Sequence, residues 1–325
     1  MTDSDPSLDV VTFGETMVRL SPPVGYSLEN APALDYFIGG AESNVAIAFS
    51  RLGGRAGWVS RLPRNGFGRR IAQEIAAHGV DISRVIWAAD ARAGLLVIDT
   101  APMPRGNSIL YDRARSAIAL LDPDELDWAY LTSARCTFLT GITPALGPGC
   151  RAAWTRAARE AKALGRKVVV DVNYRALLWS PPEARDALES VLGHCDALIS
   201  AVRDLRTIFG TSAEPEAAAR EFRERYSVPL VVLTLGERGA LAFDGELYAQ
   251  PVYAAEPLDR IGSGDAFAAG FLKGWLGGDV ALGLKLGNAS AALKQTYRGD
   301  FTWATREEVW ELIEGGNTYP RRVKR

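Results

Sequence analysis

A carboxylate flanked by glycines stands near the carboxyl end of the chain, at the predicted start of a helix. The segment reads Asp259-Arg-Ile-Gly-Ser-Gly-Asp265. Phe267, Phe271 and Trp275 then recur every four residues, which is the spacing of one apolar helical face. The first N–H groups of a helix lack partners within it and its dipole is positive there, so this end suits an anion such as a phosphate. Asp265 therefore either acts as a base beside a bound anion or simply caps the helix.

A second pair of glycines precedes another predicted helix, in the segment Phe37-Ile-Gly-Gly-Ala-Glu-Ser-Asn44. Ser43 is predicted to cap this helix. The inner face of the helix comprises four apolar residues, Val45, Ala48, Phe49 and Leu52. Gly39 and Gly40 either bring a ligand against the backbone or form a tight turn between a strand and the helix.

Most of the chain alternates between patterns of buried strands and of amphipathic helices. The predicted strands cover residues 8–14, 56–60, 136–140, 167–171, 197–200 and 229–234. The predicted helices cover residues 66–78, 149–164, 182–192, 205–209 and 214–226. This alternation predicts a parallel sheet with helices on both faces and functional loops at the carboxyl ends of its strands. Loops 171–175, 235–239 and 259–265 are therefore expected to converge on one cleft.

Two strand patterns, 94–99 and 108–113, interrupt the alternation. A loop rich in Pro and Gly separates them and no helical pattern lies between them. They therefore predict a hairpin-like insertion rather than a crossover unit.

Composition narrows the classes of function. A chain of 325 residues with 47% apolar residues suits one large α/β domain. A formal charge of -2 gives no reason to expect nucleic acid or an anionic membrane as partner. No apolar run reaches the length of a membrane span, and the acidic segment 1–6 is unlike a signal peptide, so we expect a cytoplasmic protein.

The scarcity of metal-binding and nucleophilic side chains points to carboxylate chemistry. The three cysteines are widely spaced and are predicted to be buried free thiols. Two histidines, His78 and His194, both lie next to glycines at predicted helix ends, which argues against a histidine triad or a zinc site. The chain also lacks the Gly-x-x-x-x-Gly-Lys-Ser/Thr loop and the third glycine of a dinucleotide fingerprint.

Two blocks together resemble the ribokinase-like (PfkB) family of carbohydrate kinases. They are Gly39-Gly-Ala-Glu-Ser-Asn44 and Gly262-Ser-Gly-Asp265, in the order and at the separation that the family shows. The family usually has alanine where Ser263 stands, a small change that leaves the backbone site intact. The resemblance runs from Gly14 to Asp300 and so covers nearly the whole chain.

Within the family, further segments are similar to 2-dehydro-3-deoxygluconate kinases. They are Tyr111-Asp-Arg113 with Ser116-Ala117, Thr140-Gly-Ile-Thr-Pro-Ala-Leu146, Asp171-Val-Asn-Tyr-Arg175 with Leu178-Trp179, Asp259-Arg-Ile-Gly262, and Ala292-Leu-Lys294 with Gly299-Asp300. Fructokinases and ribokinases share the two main blocks but usually lack this second set.

The resemblance implies one ribokinase-like kinase domain over residues 1–325. It would be a three-layer α/β/α sandwich with a mostly parallel central sheet and a small β-sheet lid inserted from about 15–38 and 91–118. The implied enzyme transfers the γ-phosphate of ATP to the primary hydroxyl of 2-dehydro-3-deoxy-D-gluconate, giving the 6-phosphate. Alternatives are a fructokinase, a 2-dehydro-3-deoxygalactonate kinase or another PfkB sugar kinase. A sugar-binding protein without catalysis on this scaffold is a more distant alternative.

The family pattern also assigns roles to residues. Asp265 would be the base, with the N–H groups of Gly262, Ser263 and Gly264 as the anion hole. Arg113, two residues after Tyr111 on a lid strand, would lie on the same face as Tyr111 and meet the substrate carboxylate in a planar fork. Tyr111 would bond a sugar hydroxyl or the carboxylate. The other predicted substrate contacts are Gly39, Gly40, Asn44 and Arg175, the last of which could instead reach the ATP phosphates, with Asp300 and Glu15 as weaker candidates. The predicted nucleotide contacts are Thr234, Gly236, Gly239 and Asn288.

ATP chemistry implies Mg²⁺, although no ligand cluster is visible in the sequence. Many family members carry an Asn-x-x-Glu motif that organises the metal. Ala201 and Asp204 stand at the matching positions, so the role of Asp204 as a metal ligand is open. Asp259 is a candidate to hold a monovalent cation such as K⁺. Lid strands with exposed edges further suggest a homo-oligomer.

Overall fold

The computed structural model describes residues 7–100 and 104–315. Segment 1–6, which entered the expectation of a cytoplasmic protein, lies outside the described residues. Within the described part of the chain, no helix is long and apolar enough to cross a membrane. All three cysteines are buried free thiols, as predicted.

The strands are β1 Val10–Phe13, β2 Met17–Ser21, β3 Asp35–Gly39, β4 Ala56–Val59, β5 Arg61–Pro63, β6 Ile86–Ala88, β7 Leu95–Asp99, β8 Ser108–Asp112, β9 Cys136–Thr140, β10 Lys167–Asp171, β11 Ala197–Ala201, β12 Leu230–Thr234, β13 Ala240–Phe243 and β14 Leu247–Gln250. The helices are α1 Ala41–Arg51, α2 Gly66–Ala77, α3 Trp128–Leu131, α4 Pro148–Ala163, α5 Pro181–Leu192, α6 Val202–Phe209, α7 Pro215–Tyr226, α8 Ser263–Trp275, α9 Val280–Lys294 and α10 Arg306–Gly315.

Eight strands form the central sheet, in the order β14-β13-β12-β11-β10-β9-β1-β4. The pairs from β12 to β4 are parallel, whereas β13 and β14 are antiparallel. Val168, Val169 and Val170 in β10 are all fully buried, because helices cover both faces of the sheet. This confirms the predicted three-layer α/β/α sandwich with a mostly parallel sheet.

Two apolar cores flank the central sheet. One core contains Trp154 of α4 and Phe222 of α7, together with residues of α5 and α6. The other contains Phe49 of α1 and Phe271 of α8, with residues of α2 and α9. Phe267 and Phe271 belong to this second core, so the predicted apolar face of α8 packs against the sheet.

A separate four-stranded sheet, in the order β3-β2-β7-β8, is called the small sheet below. It combines two parts of the chain, 17–39 and 95–112, that agree closely with the predicted lid segments; residues 101–103 of the second segment lie outside the described residues. The β7–β8 pair is antiparallel, as expected for the hairpin-like insertion. The small sheet covers the carboxyl ends of the central strands, because Met17 and Tyr111 line the same cavity as Asp171.

The predicted capping role of Ser43 is wrong. Helix α1 begins at Ala41, and the extended residue Gly40 precedes it without a side-chain cap. Ser43 lies inside the first turn, where its hydroxyl donates to the carbonyl of Gly40 at 3.0 Å. Helix α1 therefore begins three residues earlier than a cap at Ser43 would imply, because Gly40 precedes it.

Candidate active site

Two cavities meet at the amino end of α8. The first has a volume of about 410 Å³ and lies between the small sheet and the carboxyl ends of the central strands. The second, about 470 Å³, lies between β12, the segment after β14 and α9. Four residues line both cavities: Thr234, Arg260, Ser263 and Gly264. A ligand in one cavity can therefore meet a ligand in the other at the start of α8.

Asp265 lies in the first turn of α8 and lines the first cavity. Its side chain is buried, with 6% exposure. Asn44 donates to Oδ2 at 2.7 Å and Asn173 donates to Oδ1 at 3.4 Å. Burial raises the pKa of Asp265, while the hydrogen bond from Asn44 and the charge of Arg175 oppose that rise. Asp265 does not act as a simple helix cap, because its carboxylate accepts hydrogen bonds from side chains that are distant in the sequence.

A second carboxylate, Asp171, lies at the end of β10 beside Asp265. Asn173 links the two, since its amide also donates to Oδ2 of Asp171 at 3.3 Å. Burial and the nearby charge of Asp265 raise the pKa of Asp171 to about 8. Asn173 adopts a left-handed backbone conformation with φ 37° that brings its side chain to both carboxylates.

The loop before α8 requires glycine at position 262. Gly262 has φ 78°, and a Cβ there would lie 1.6 Å from the carbonyl oxygen of Asp300. The N–H of Ser263 donates to the carbonyl of Arg260 at 3.3 Å. The N–H groups of Gly262 and Gly264 have no hydrogen-bond partner among the described residues. Of the three predicted anion donors, Gly262 and Gly264 are therefore free to bind, whereas the donor of Ser263 is engaged.

The positions of Gly39 and Gly40 before α1 require glycine because other protein atoms lie close to them, and not because a ligand needs the space. A Cβ on Gly39 would lie 1.9 Å from Oδ2 of Asp300, and a Cβ on Gly40 would lie 2.0 Å from the carbonyl of Glu15. Both glycines nevertheless line the first cavity. A Cβ on Gly264 would meet nothing within 4 Å, so this glycine leaves open space beside the anion donors.

Arg113 is neutralised by a carboxylate of the protein. Its Nη2 and Nε lie 2.5 and 2.7 Å from Oε2 of Glu15, and both residues are buried. Ser116 donates to the other oxygen of Glu15. The guanidinium also lies 5.5 Å from the ring centre of Tyr111. Nη1 of Arg113 makes no hydrogen bond with the described residues, so it remains for a ligand in the first cavity, which Arg113 and Tyr111 line.

Arg175 is the more available arginine of the first cavity. It is exposed, and its Nη2 donates to Oδ1 of Asn173 at 2.7 Å. Its charge opposes the upward pKa shifts of Asp171, Asp204 and Asp265, so it stands near all three carboxylates.

Glu42, in the glycine-rich block before α1, is a buried acid that the sequence analysis did not single out. It is 1% exposed and lines the first cavity. Thr140 and Thr143 donate to its Oε1 at 2.6 and 2.5 Å. Burial raises its pKa to about 7, because the hydroxyl bonds only partly offset the loss of water.

Asp259, the residue expected to hold a monovalent cation, is paired with cationic side chains of the protein. Arg19 bridges Asp259 and Asp300 with contacts of 2.8 and 2.6 Å. Lys294 donates to the backbone carbonyl of Asp259 at 2.8 Å. The surroundings of Asp259 therefore already hold two cationic side chains. Asp300, predicted as a substrate contact, lines the first cavity but is paired with Arg19.

All four predicted nucleotide residues line the second cavity: Thr234, Gly236, Gly239 and Asn288. Asn288 also has a structural role, since its amide donates to the carbonyls of Gln250 and Pro251 at 2.8 and 3.1 Å. These bonds fix the segment after β14 and so shape the wall of the cavity.

The chain matches the pfkB family carbohydrate kinases over residues 7–305. It belongs to this family. A 2-dehydro-3-deoxygalactonokinase of Haloferax volcanii is 42% identical over 95% of this chain and 98% of its own length. A crystal structure of 2-dehydro-3-deoxygluconokinase from Thermotoga maritima is 32% identical, with a TM-score of 0.89 and coverage of 95% and 98%. A putative ribokinase II from E. coli, solved with ATP and Mg²⁺, is 25% identical, with a TM-score of 0.86 and coverage of 95% and 99%.

As a PfkB kinase the protein is a sugar phosphotransferase, and the family uses ATP and Mg²⁺. Kinases hold Mg²⁺ through phosphate oxygens, water and one or two carboxylates. In the ranges 7–100 and 104–315, no three His, Cys, Asp or Glu side chains converge on a metal site. Asp204, in the first turn of α6, lines the first cavity and lies 3.3 Å from Nε of Arg203, and its role as a Mg²⁺ ligand stays a prediction. Its neighbour Ala201, at the helix cap, has no side-chain oxygen to assist it.

The sequence analysis predicted neither the burial nor the pairing of two cations of this PfkB kinase, Arg19 and Lys294, although Lys294 lies in a segment that carries the resemblance. Arg19 lies in a strand of the small sheet, and Lys294 is the last residue of α9. A signal for Lys294 was present, because it follows the apolar run Ala291-Ala-Leu293, which predicts a buried environment. No comparable signal marks Arg19.

Proposed function

We propose that the protein transfers the γ-phosphate of ATP to the primary hydroxyl of a six-carbon 2-dehydro-3-deoxy sugar acid. The observation that carries this proposal is the junction of the two cavities at Gly264, beside the buried carboxylate of Asp265. Such a junction suits two substrates that react end to end, because phosphoryl transfer depends mainly on positioning and on charge stabilisation.

In this mechanism the sugar acid binds in the first cavity and ATP enters from the second. Asp265 accepts the proton of the primary hydroxyl as the hydroxyl oxygen bonds to the γ-phosphorus, and the bond between that phosphorus and the β,γ-bridging oxygen breaks to release ADP. The free N–H groups of Gly262 and Gly264 bind the negative charge that develops on the phosphoryl oxygens. Mg²⁺ supplies further charge neutralisation when it is bound to ATP.

The small sheet would exclude water from the reacting groups. Its apolar side chains Met17, Leu96 and Ile98 are buried and line the first cavity, together with Tyr111. A dry site strengthens the electrostatic interactions and prevents hydrolysis of ATP.

Two arginines of the first cavity, Arg113 and Arg175, favour an acidic substrate. The carboxylate of the acid would bind to Nη1 of Arg113 and to the exposed guanidinium of Arg175, since guanidinium matches a carboxylate in geometry and charge. The ion pair with Glu15 fixes the orientation of the Arg113 guanidinium before the ligand arrives. The same pair offsets part of the positive charge that Arg113 offers to the ligand.

The galactonate epimer is our first candidate. The sequence segments resemble gluconate-specific kinases, and this placed 2-dehydro-3-deoxygluconate first. The relative with 42% identity is a 2-dehydro-3-deoxygalactonokinase, whereas the gluconokinase of known structure is 32% identical. These identities support 2-dehydro-3-deoxygalactonate as the preferred acceptor and 2-dehydro-3-deoxygluconate as the second.

A neutral ketose such as fructose is the competing acceptor. The observation that favours it is the Arg113–Glu15 pair, because a neutralised arginine gains less from a substrate carboxylate. In that case Arg113 would only order the small sheet against Glu15.

An ADP-release assay across four acceptors tests the proposal. The acceptors are the two epimeric acids, 5-dehydro-2-deoxygluconate and fructose, each with ATP and Mg²⁺. We expect kcat/KM for the preferred epimeric acid to exceed that for fructose by about 100-fold, which is the discrimination expected from one charge-assisted contact with the substrate carboxylate. Equal or higher kcat/KM with fructose would refute acid recognition. A matched reaction with Asp265→Asn controls for contaminating kinases.

A further inference from the structure

We propose that Arg19 and Lys294 are built-in cations that take the place of a monovalent metal ion beneath the catalytic loop 259–265 and hold that loop in position. The catalytic part of this inference rests on the proposed kinase function, whereas the cation part does not. Both residues act on the loop through Asp259 and Asp300, so they are positioning residues and not catalytic residues.

Lys294 is a fully buried lysine that contacts the catalytic loop. It is 0% exposed, among the largest fully buried side chains of the described residues. Its Nζ donates at 2.8 Å to the backbone carbonyl of Asp259, the first residue of the loop. A lysine is almost never fully buried unless it is paired, and here the bond to the carbonyl of Asp259 and the nearby carboxylates of Asp259 and Asp300 provide that pairing. Burial lowers the pKa of Lys294, and the charges of Asp259 and Asp300 oppose that fall.

Arg19 reaches the same loop from the small sheet. It is 3% exposed, and its Nη2 and Nη1 contact Asp259 and Asp300 at 2.8 and 2.6 Å. Its Nε donates to Ser21 at 3.1 Å, so the whole guanidinium is held by oxygen acceptors. Arg19 therefore connects strand β2 to the loop before α8 and to the residue whose carbonyl faces Gly262.

The oxygen atoms of Asp259 are all engaged by nitrogen donors. Oδ1 accepts from the N–H of Ile261 at 3.1 Å, and Oδ2 accepts from the N–H of Gly299 at 3.2 Å in addition to Arg19. The backbone oxygen accepts from Lys294. A potassium ion is bound by oxygen atoms that replace its water, and here the protein's own donors occupy those atoms.

The charges of this cluster also balance without a metal ion. Two buried carboxylates, Asp259 and Asp300, face two buried cations, Arg19 and Lys294. A further cation beside this neutral group would be repelled by Arg19 and Lys294 at short range. The loop that carries Gly262 and Gly264 is thus fixed by side chains that cannot dissociate.

The first test compares the wild-type enzyme in potassium chloride and in tetramethylammonium chloride at equal ionic strength. We expect kcat to agree within about twofold, because no site for the metal ion remains. The melting temperature should also be equal in the two salts, and it needs no substrate. A kcat that depends several-fold on K⁺, or a higher melting temperature in K⁺ than in tetramethylammonium, overturns the proposal. Equal melting temperatures with no kinase activity on any acceptor would support the cation inference and refute the proposed function.

The second test removes the charge of Lys294 with Lys294→Met, which keeps the length of the side chain. We expect kcat in tetramethylammonium to fall by about tenfold or more while KM for ATP changes little, and K⁺ to restore part of kcat. Lys285→Met, an exposed residue of the same helix, is the control and should behave as wild type. An unchanged kcat in Lys294→Met refutes the positioning role. If Lys294→Met does not fold, Arg19→Lys takes its place, since it keeps the charge and loses the bridge; an unchanged kcat there equally refutes the role.

Discussion

The side-chain amide of Asn44 donates a 2.7 Å hydrogen bond to Oδ2 of Asp265, although 221 positions separate the two residues in the chain. The bond joins the glycine-rich block before α1 to the glycine-rich loop before α8. Each block was a weak signal by itself, and their contact explains why they occur together. The contact orients the carboxylate that the proposed chemistry requires.

Loss of this bond should change the pH dependence of turnover. A hydrogen bond to the ionised carboxylate lowers the pKa of Asp265, so Asn44→Ala raises that pKa. Because the base must be ionised, the acidic limb of the kcat–pH profile should move to higher pH by about one unit. Asn173→Ala, which removes the longer bond of 3.4 Å, should cause a smaller shift. Identical profiles for Asn44→Ala and the wild type would contradict this role of Asn44.

The exposed arginine should control recognition of the acid. Arg175→Gln is expected to raise KM for the keto acid by about tenfold or more and to leave KM for fructose unchanged, because the substrate carboxylate loses a charged partner. Arg206→Gln, an exposed residue of α6 that lines neither cavity, is the control. A rise in KM for ATP alone would show instead that Arg175 contacts the nucleotide.

Arg113, which directly follows strand β8 and is not part of it as predicted, calls for a conservative change. Removing Arg113 would leave Glu15 buried and unpaired, which destabilises proteins by about 3–5 kcal/mol. Arg113→Lys keeps the charge but loses the fork that holds Glu15 and a ligand together. We expect KM for the keto acid to rise by about tenfold with a small change in melting temperature. Unchanged KM for the acid would point to a neutral substrate.

Glu42 should make the stability of the fold depend on pH. Its pKa is about 7 in the folded protein and about 4.5 when unfolded, so the folded state binds the proton more tightly. The stabilisation is complete below pH 4.5 and is lost as the pH rises to 7. The difference corresponds to about 3 kcal/mol of unfolding free energy. Glu42→Gln should therefore gain stability relative to wild type between pH 5 and pH 8, as measured by urea unfolding.

A surface variant provides the control for that experiment. Glu224→Gln changes an exposed acid on α7 and should track the wild type at both pH values. If Glu42→Gln loses the same stability as the wild type over this range, burial of Glu42 is not the cause of the pH dependence.

The prediction of a homo-oligomer rests on the edge of the small sheet. Strand β8 is an edge strand, and its residues Ile109 and Leu110 are 46% and 55% exposed. Exposed apolar edges invite pairing between copies of a chain. Leu110→Glu should shift the mass measured by light scattering toward the monomer, whereas Leu164→Glu, on another surface, should not. A monomeric wild-type protein would contradict the prediction.

Strands buried on both faces were the most predictable part of the fold. The predicted bounds of β9 and β10 agree with the structure residue for residue, because runs of five mostly apolar residues are too short for a helix and so favour a buried strand. Helix α9 escaped prediction because it is buried on several sides, so its apolar residues show no single face. The entrance of α1 was misplaced because glycine, rather than the serine inside the first turn, precedes the helix.

Site residues that lie in a local sequence motif could be predicted, whereas those that reach the site only through pairing with distant residues could not. Asp265, Asn44 and the loop glycines lie in local blocks that the sequence displays. The Arg19–Asp259 bridge joins residues far apart in sequence, and nothing local distinguishes Arg19 from a surface arginine. Its burial follows only from the packing of the small sheet over the loop.

The most direct test of the account is the turnover of Asp265→Asn with ATP, Mg²⁺ and the preferred sugar acid. Asparagine keeps the size of the side chain but cannot accept the proton, so we expect kcat to fall by about 10²- to 10⁴-fold. Calorimetry should show that the variant still binds ATP and the acid with affinities close to those of the wild type. A kcat within a few-fold of the wild type would contradict the role of Asp265 as the base, and with it the proposed mechanism.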